Sequence, residues 1–257
     1  MNVKLLNMKN NTLKTILGII VLIGIWQIIS WLNILNPIYF ASPIEVAKEF
    51  MTMFQNGSIF SDIWATLRRV LVALFTAAIV GIPIGLVLGY FKTSYKMFGN
   101  IIDFFRSIPP IILYPLFLIA LGTGDSSRIA VAFIGGLVVI ILIIAKGLFQ
   151  QSNLRRDYVR SLGASKLQVM KDVVWHEALP HIFTSLRTAS SLIIIIVIVT
   201  EMLVGAQYGL GTRVQSVQIT SNIPDLFTTT IIIGILGVIL NKVFIFLEKK
   251  YVSWKSN

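Results

Sequence analysis

The chain has 257 residues, of which 56% are apolar and only 13% charged, and its mean hydropathy is +0.83. That balance lies outside the range of soluble globular domains. With no cysteine, disulfides and thiolate metal sites are excluded, and two isolated histidines do not suggest a metal site; the net charge of +11 comes without a basic cluster interleaved with aromatics, so it is no sign of nucleic-acid binding.

Apolar runs of about 20 residues, the length that crosses a bilayer's hydrocarbon, predict six membrane helices. They fall near Thr15–Ile34, Val70–Tyr90, Ile101–Leu121, Ile129–Phe149, Ile182–Val204 and Phe227–Leu247. The first follows Lys4, Lys9 and Lys14 and is long for the apolar region of a signal peptide. No small-x-small cleavage site follows it, which predicts a retained span behind a cytoplasmic tail, 1–14. Residues 15–257 then form one membrane domain with its core at 60–250.

The second run has an amphipathic lead-in from near Asp62 and carries Gly81, Gly85 and Gly89 at four-residue spacing, with Pro83 among them. Small residues on one helix face let a neighbouring backbone approach closely. In the third run Asp103 and Arg106 mark the start as interfacial anchors. Pro109, Pro110 and Pro115 then remove amide donors and force a bend. Carbonyls freed at membrane depth must face protein or a wet cavity, so Pro109-Pro110 is either a packing kink or part of a pathway. The fifth run ends in Thr200-Glu201-Met202. Glu201 is its only acidic residue, and an intramembrane carboxylate is a functional candidate by default. Two readings stand: a structural pair with Arg213 or Arg68, or, with Met202, a gate. Ser190, Ser191 and Thr200 either line a polar stripe or bond to backbone carbonyls, and Trp26, Trp31 and Trp64 fit interfacial anchors.

Charge sets the orientation. Lys4, Lys9, Lys14, Lys92, Lys96, Lys146, Arg155, Arg156, Arg160, Lys166, Lys171, Lys249, Lys250 and Lys255 fall on one side. Lys48, Arg128 and Arg213 fall on the other, with Arg68-Arg69 snorkelling at its edge. Positive residues accumulate in the cytoplasm, so both termini and the loop 150–181 are expected there, in a multi-pass protein of the plasma membrane.

That loop is the most informative segment. Leu154, Tyr158 and Leu162 recur at helical spacing among Asp157 and Arg160, Gly163 is a helix stop, and Ser165 with Gln168 fits a capping box. A second helix places Leu167, Met170, Val173 and Val174 on one side, and Leu179-Pro180 closes it. Two short helices at a glycine turn are a compact knob, either an ordinary surface loop or a docking element.

The loop resembles the Glu-Ala-Ala motif of ATP-binding-cassette (ABC) importer permeases, with Asp157 at the Glu position, Gly163 six residues on, and Leu179-Pro180 at the end. Tyr158 and Val159 replace the alanines, and His176-Glu177 stands where a proline and a small residue are usual. Further segments are similar to the nitrate/sulfonate/taurine group in order and spacing: Ala41-Ser42-Pro43, Leu67-Arg68-Arg69-Val70, Gly81 to Gly85, Arg106 to Pro110, Leu121 to Gly124, Thr200 to Leu203, and Gly209-Leu210-Gly211.

The resemblance implies an all-α permease of the type I importer fold, working as a pair of copies of this chain in membrane lipid. An external solute-binding protein would deliver a small anion. A separate ATPase would dock on Asp157, Tyr158, Arg160, Leu162, Gly163, Ala164, Ser165, Leu167 and Met170. Members of the group import nitrate, sulfonates, taurine, bicarbonate and, in some branches, pyrimidine vitamin precursors or flavins. No Gly-x-x-x-x-Gly-Lys-Ser/Thr loop occurs, so ATP and magnesium are expected on the partner and this chain is not expected to be an enzyme. Two other readings need features not found in the sequence. A secondary transporter calls for inverted repeats and coupling ionisable groups, and a membrane enzyme for a reactive side-chain cluster.

Overall fold

The computed structural model describes residues 2–152 and 154–252, all helix, turn or loop. Lys255 lies outside them, as do the side chains of Lys4 and Lys9. Five helices are long and apolar enough to cross a membrane, or six if one bent pair counts as a span. The chain divides into two compact units.

The first unit comprises the residues up to Phe60 together with Arg213–Ile232. Helix α1 (Asn2–Trp31) is followed by α2 (Pro43–Gln55), a helix absent from the six predicted runs. Its start is encoded locally: Ser42 Oγ accepts from the Glu45 N–H at 3.2 Å, and Glu45 Oε2 accepts from the Ser42 N–H at 2.7 Å, with Pro43 in the first turn. Trp26, expected as an interfacial anchor, instead donates to the Ala41 carbonyl at 3.0 Å and stacks on Phe227 at 5.8 Å. Trp31 and Trp64 are exposed, as anchors require. Arg213 grips Asp225 with Nε and Nη2, both at 3.0 Å.

The second unit comprises Ser61–Thr212 and the chain from Ile233 onward. It holds most of α3 (Ser58–Tyr90), then α4 (Lys92–Ser107), a 3-10 turn (Pro110–Leu113), α5 (Tyr114–Leu121) and α6 (Asp125–Phe149). After these come α7 (Leu154–Ser161), α8 (Lys166–Gln168), a π-helical turn (Val169–Val174) and α9 (Trp175–Leu203). Helix α10 (Leu210–Thr220) begins here, and α11 (Ile223–Tyr251) ends here.

Helices α6 and α9 pack extensively against each other. They meet through glycine: a side chain at Gly136 would strike Ile193, and one at Gly147 would strike His181. The α3 stripe works in the same way. A Cβ at Gly81 would stand 2.9 Å from Ile140, at Gly85 2.9 Å from Ile144, and at Gly89 2.9 Å from the Ala145 carbonyl oxygen. In lipid there is little hydrophobic gain between helices, so this close van der Waals approach does the holding.

One expectation holds and another needs correction. The third run bends where its prolines predict, α4 and the segment Pro110–Leu121 meeting at 80° where Ile108 and Pro109 leave the helix. But Leu179-Pro180 does not close the second knob helix: α8, the π turn and α9 run on as a single stretch, Lys166–Leu203, through Pro180. Proline costs a helix one amide bond, which does not stop the helix here; beside that turn Gln151 Nε2 donates to the Glu177 carbonyl at 3.3 Å.

Candidate functional site

The knob is built from its turn outward. Gly163 sits at φ +88°, a left-handed backbone that ends α7. Ser165 and Gln168 then exchange both capping-box bonds, Ser165 N–H to Gln168 Oε1 at 2.8 Å and Gln168 N–H to Ser165 Oγ at 3.3 Å. The π turn buries Val169 and Val174 completely.

An ion pair absent from the sequence expectations locks the knob to α9. Arg156 donates through Nε and Nη2 to Glu177 Oε2 at 3.2 and 3.1 Å, and both residues are buried. Glu177, a departure from the usual motif, therefore has a partner here. Arg160 Nη2 donates to the Tyr90 hydroxyl at 2.8 Å, tying α7 to the end of α3.

While Arg156 turns inward, the apolar stripe faces out. Leu154, Tyr158 and Leu162 are 76%, 67% and 71% exposed, and Leu167 is 80% exposed. Asp157 and Ser165 are exposed too, Ala164 and Met170 are half-buried, and Leu179 and Pro180 lie half-buried on α9.

At the other end of the same unit a polar hub surrounds Glu201, which is fully buried. Its carboxylate accepts from Arg69 Nη1 at 2.6 Å, Thr66 Oγ1 at 3.0 Å and the Gly211 N–H at 2.8 Å. Arg69 also donates from Nε to Asp125 Oδ1 at 2.8 Å and from Nη1 to the Tyr208 carbonyl at 2.9 Å.

The expected partners of Glu201 are therefore wrong. Arg213 is taken by Asp225, and Arg68 pairs with Asp125. Arg69 is buried rather than snorkelling. Asp62, Thr66 and Arg69 lie at helical spacing on α3, a polar stripe in an apolar helix that could have flagged them. Arg128 is also buried, donating to the carbonyls of Thr123, Gly124 and Val204 at 2.9, 3.0 and 2.5 Å.

The hub explains the Gly209-Leu210-Gly211 segment. The Gly209 N–H donates to Asp62 Oδ1 at 3.0 Å and the Leu210 N–H to Thr66 Oγ1 at 2.9 Å. A Cβ on Gly209 would stand 2.7 Å from the Glu201 carboxyl carbon, and one on Gly211 2.7 Å from Glu201 Cβ. Glu201 thus holds a backbone loop at the end of α9, and Met202 beside it is half-buried. Pro109 is exposed at the α4–α5 bend, while Pro110 packs against Gly135 of α6. Ser190, Ser191 and Thr200 donate to backbone carbonyls, one of the two roles expected for them.

A bundle of apolar helices joined through glycines, with a rigid charged knob at one end and a buried polar latch at the other, is the architecture of a polytopic transport subunit. Residues 81–253 match the family described as binding-protein-dependent transport system inner membrane component, and the chain belongs to that family. It is the membrane-embedded permease subunit of an ABC importer. Its relatives include the nitrate import permease of Synechocystis, 31% identical over 92% of this chain and 88% of that one. The taurine transport system permease of Escherichia coli is 30% identical over 76% of this chain and 73% of that one. A probable ABC transporter permease of Brucella abortus is 27% identical over 99% of each chain. In fold, the chain is similar to an inward-facing form of the MetNI methionine ABC transporter, with a TM-score of 0.67 at 22% identity over 75% of this chain and 95% of that one. The relatives are transport permeases rather than enzymes, and the family works with an ATPase and a solute-binding protein.

Proposed function

We propose that the knob at 150–181 is the cytoplasmic dock for the ATPase, and that two copies of this chain enclose the path of a small anion of the nitrate, sulfonate or taurine kind. The observation that carries the dock is the outward apolar stripe Leu154, Tyr158 and, just past the helix end, Leu162, on α7, whose only buried residue is Arg156. A solvated surface helix would turn that stripe inward and leave the arginine outside. Exposed large apolar groups on a rigid, ion-paired mount suit a protein partner.

In this reading ATP and magnesium stay on the ATPase. Closure of its two subunits draws the paired knobs together, and because the chain is helical without a break from Lys166 to Leu203, the motion reaches the far end of α9 as a rigid-body movement. The Arg69–Glu201 hub, with Met202 beside it, lies at that far end and marks the outer gate. The anion is suggested by the names of the relatives, nitrate and taurine among them.

The test is purification of the full chain from its native membrane in mild detergent. A nucleotide-binding ATPase recovered at equal stoichiometry, and lost when 157–171 is scrambled, supports the dock. A stable chain recovered without any such ATPase sinks it.

A further inference from the structure

One arginine in the membrane-spanning part of the second unit is not accounted for by knob or latch. Arg187 lies on α9 between His181, which packs at Gly147, and Ile193, which packs at Gly136, so it sits near the level of the middle of α6. Buried arginines elsewhere in this unit are compensated: Arg69 by Asp125 and Glu201, Arg156 by Glu177, Arg128 by three carbonyls. Arg187 is half-buried, and among the described residues its guanidinium makes no ion pair and no hydrogen bond.

It opens onto a groove of about 490 Å³ between α9 and α11, walled by Arg187, Thr188, Ser191, Gly234, Gly237, Val238 and Asn241. No carboxylate lines it. Thr188 and Ser191 spend their hydroxyl protons on the carbonyls of Thr184 and Arg187, at 2.9 and 3.3 Å. The donors left for a guest are the guanidinium and the Asn241 amide. Gly234 borders open space, a Cβ there meeting nothing within 4 Å. A charge at membrane depth faces a partner or a wet cavity, and this one faces a groove that mixes polar side chains with glycines and Val238 and carries one sign of charge.

We infer that Arg187, with Asn241, is an anion-binding step on the solute path, taking a small oxyanion head such as nitrate or a sulfonate through the planar guanidinium fork. The inference rests on the anion reading above and gives it a residue.

The chain has no cysteine, so Ser191→Cys places a single thiol one helical turn from Arg187. The full-length variant, in unsealed membrane fragments, is labelled with an anionic methanethiosulfonate (ethylsulfonate) and a cationic one (ethyltrimethylammonium). Each rate is divided by that of a free thiol in solution. The expected result is an anionic preference of about tenfold or more, as one nearby unit charge under partial screening produces. It persists with Arg187→Lys and disappears with Arg187→Gln, and added nitrate or ethanesulfonate slows the reaction.

No labelling by either reagent would mean a lipid-filled groove with Arg187 reaching for headgroups, and would overturn the inference. A preference surviving Arg187→Gln, or rates indifferent to both anions, would overturn it equally. The labelling needs no ATPase, so its failure is separate from failure of the docking experiment.

Discussion

Arg69 Nη1 stands 2.6 Å from Glu201 Oε1, joining α3 to α9 through two side chains that are 5% and 0% exposed. Removing one charge of a buried pair leaves the other uncompensated, at a cost of about 3–5 kcal/mol. Glu201→Leu takes the acceptor from Thr66 and the Gly211 N–H and leaves Arg69 paired with Asp125 alone, and is expected to lower the detergent-solubilised chain's Tm. Glu201→Gln, which still offers one acceptor oxygen, is expected to fall between. Arg69→Met combined with Glu201→Met should recover much of the loss, because no lone charge remains. A Tm for Glu201→Leu equal to the parent's would remove the hub from the account of stability.

Glycine substitutions are expected to separate by what surrounds them. Gly211→Ala would press into Glu201 Cβ and the Ile198 backbone, and Gly89→Ala into the Ala145 backbone, neither of which can step aside. Each is expected to cost about 1–3 kcal/mol, the usual range for overpacking. Gly24→Ala, in α1 with nothing within 4 Å, is expected to be neutral or stabilising by a few tenths up to about 1 kcal/mol. Thermal melts of the three variants in one detergent give the ranking, and equal losses would contradict the close-approach account of the α3–α6 contact.

Helix α2 carries a pH dependence of known sign. The Glu45 carboxyl is held below its ordinary value chiefly by the hydrogen bond from the Ser42 backbone N–H, with a second from the Ser42 hydroxyl. A carboxyl with a depressed folded value contributes stability above the unfolded value, and that contribution fades as pH falls through the folded one. The α2 amides are therefore expected to lose protection against deuterium exchange below about pH 4 compared with pH 6, each rate being divided by the intrinsic exchange rate at that pH, because the unfolded carboxyl of this type titrates near 4.3. Glu45→Gln should flatten the change. Equal acid sensitivity in that variant would place the titrating group elsewhere.

The long helices were legible because hydropathy over a span-length window overwhelms local ambiguity. The glycine stripe and the Ser165 cap were legible because their physics is local. What escaped was pairing. Glu201 announces that it needs a cation, but nothing along the chain says that Arg69 is nearer than Arg68 or Arg213; helix phase and the path of the 205–211 loop decide it. Arg156 and Glu177 looked like loop charge and a motif departure until α7 folded back on α9. Helix α2 was passed over because 13 residues are too few for a span, although Ser42, Pro43 and Glu45 already spelled its start. Arg187 was hidden by the apolar run that surrounds it.

The knob separates mount from contact, so its variants are expected to fail in two ways. Arg156→Ala leaves Glu177 buried and alone, which should loosen α7 from α9 and lower both Tm and ATPase recovery. Exchanging the two charges, Arg156→Glu with Glu177→Arg, should restore part of each. Tyr158→Ala and Leu162→Ala remove only exposed groups, so Tm should hold within about 0.5 kcal/mol of stability. ATPase binding should weaken roughly tenfold for each if these are anchors worth more than about 1 kcal/mol. Gly163→Val is the severer case, since a β-branched residue resists the φ of +88° that sets the angle between the knob helices. Reconstituted with the ATPase and the binding protein, it is expected to hydrolyse ATP without driving uptake. Full uptake in that variant would mean that the angle at Gly163 does not transmit the stroke.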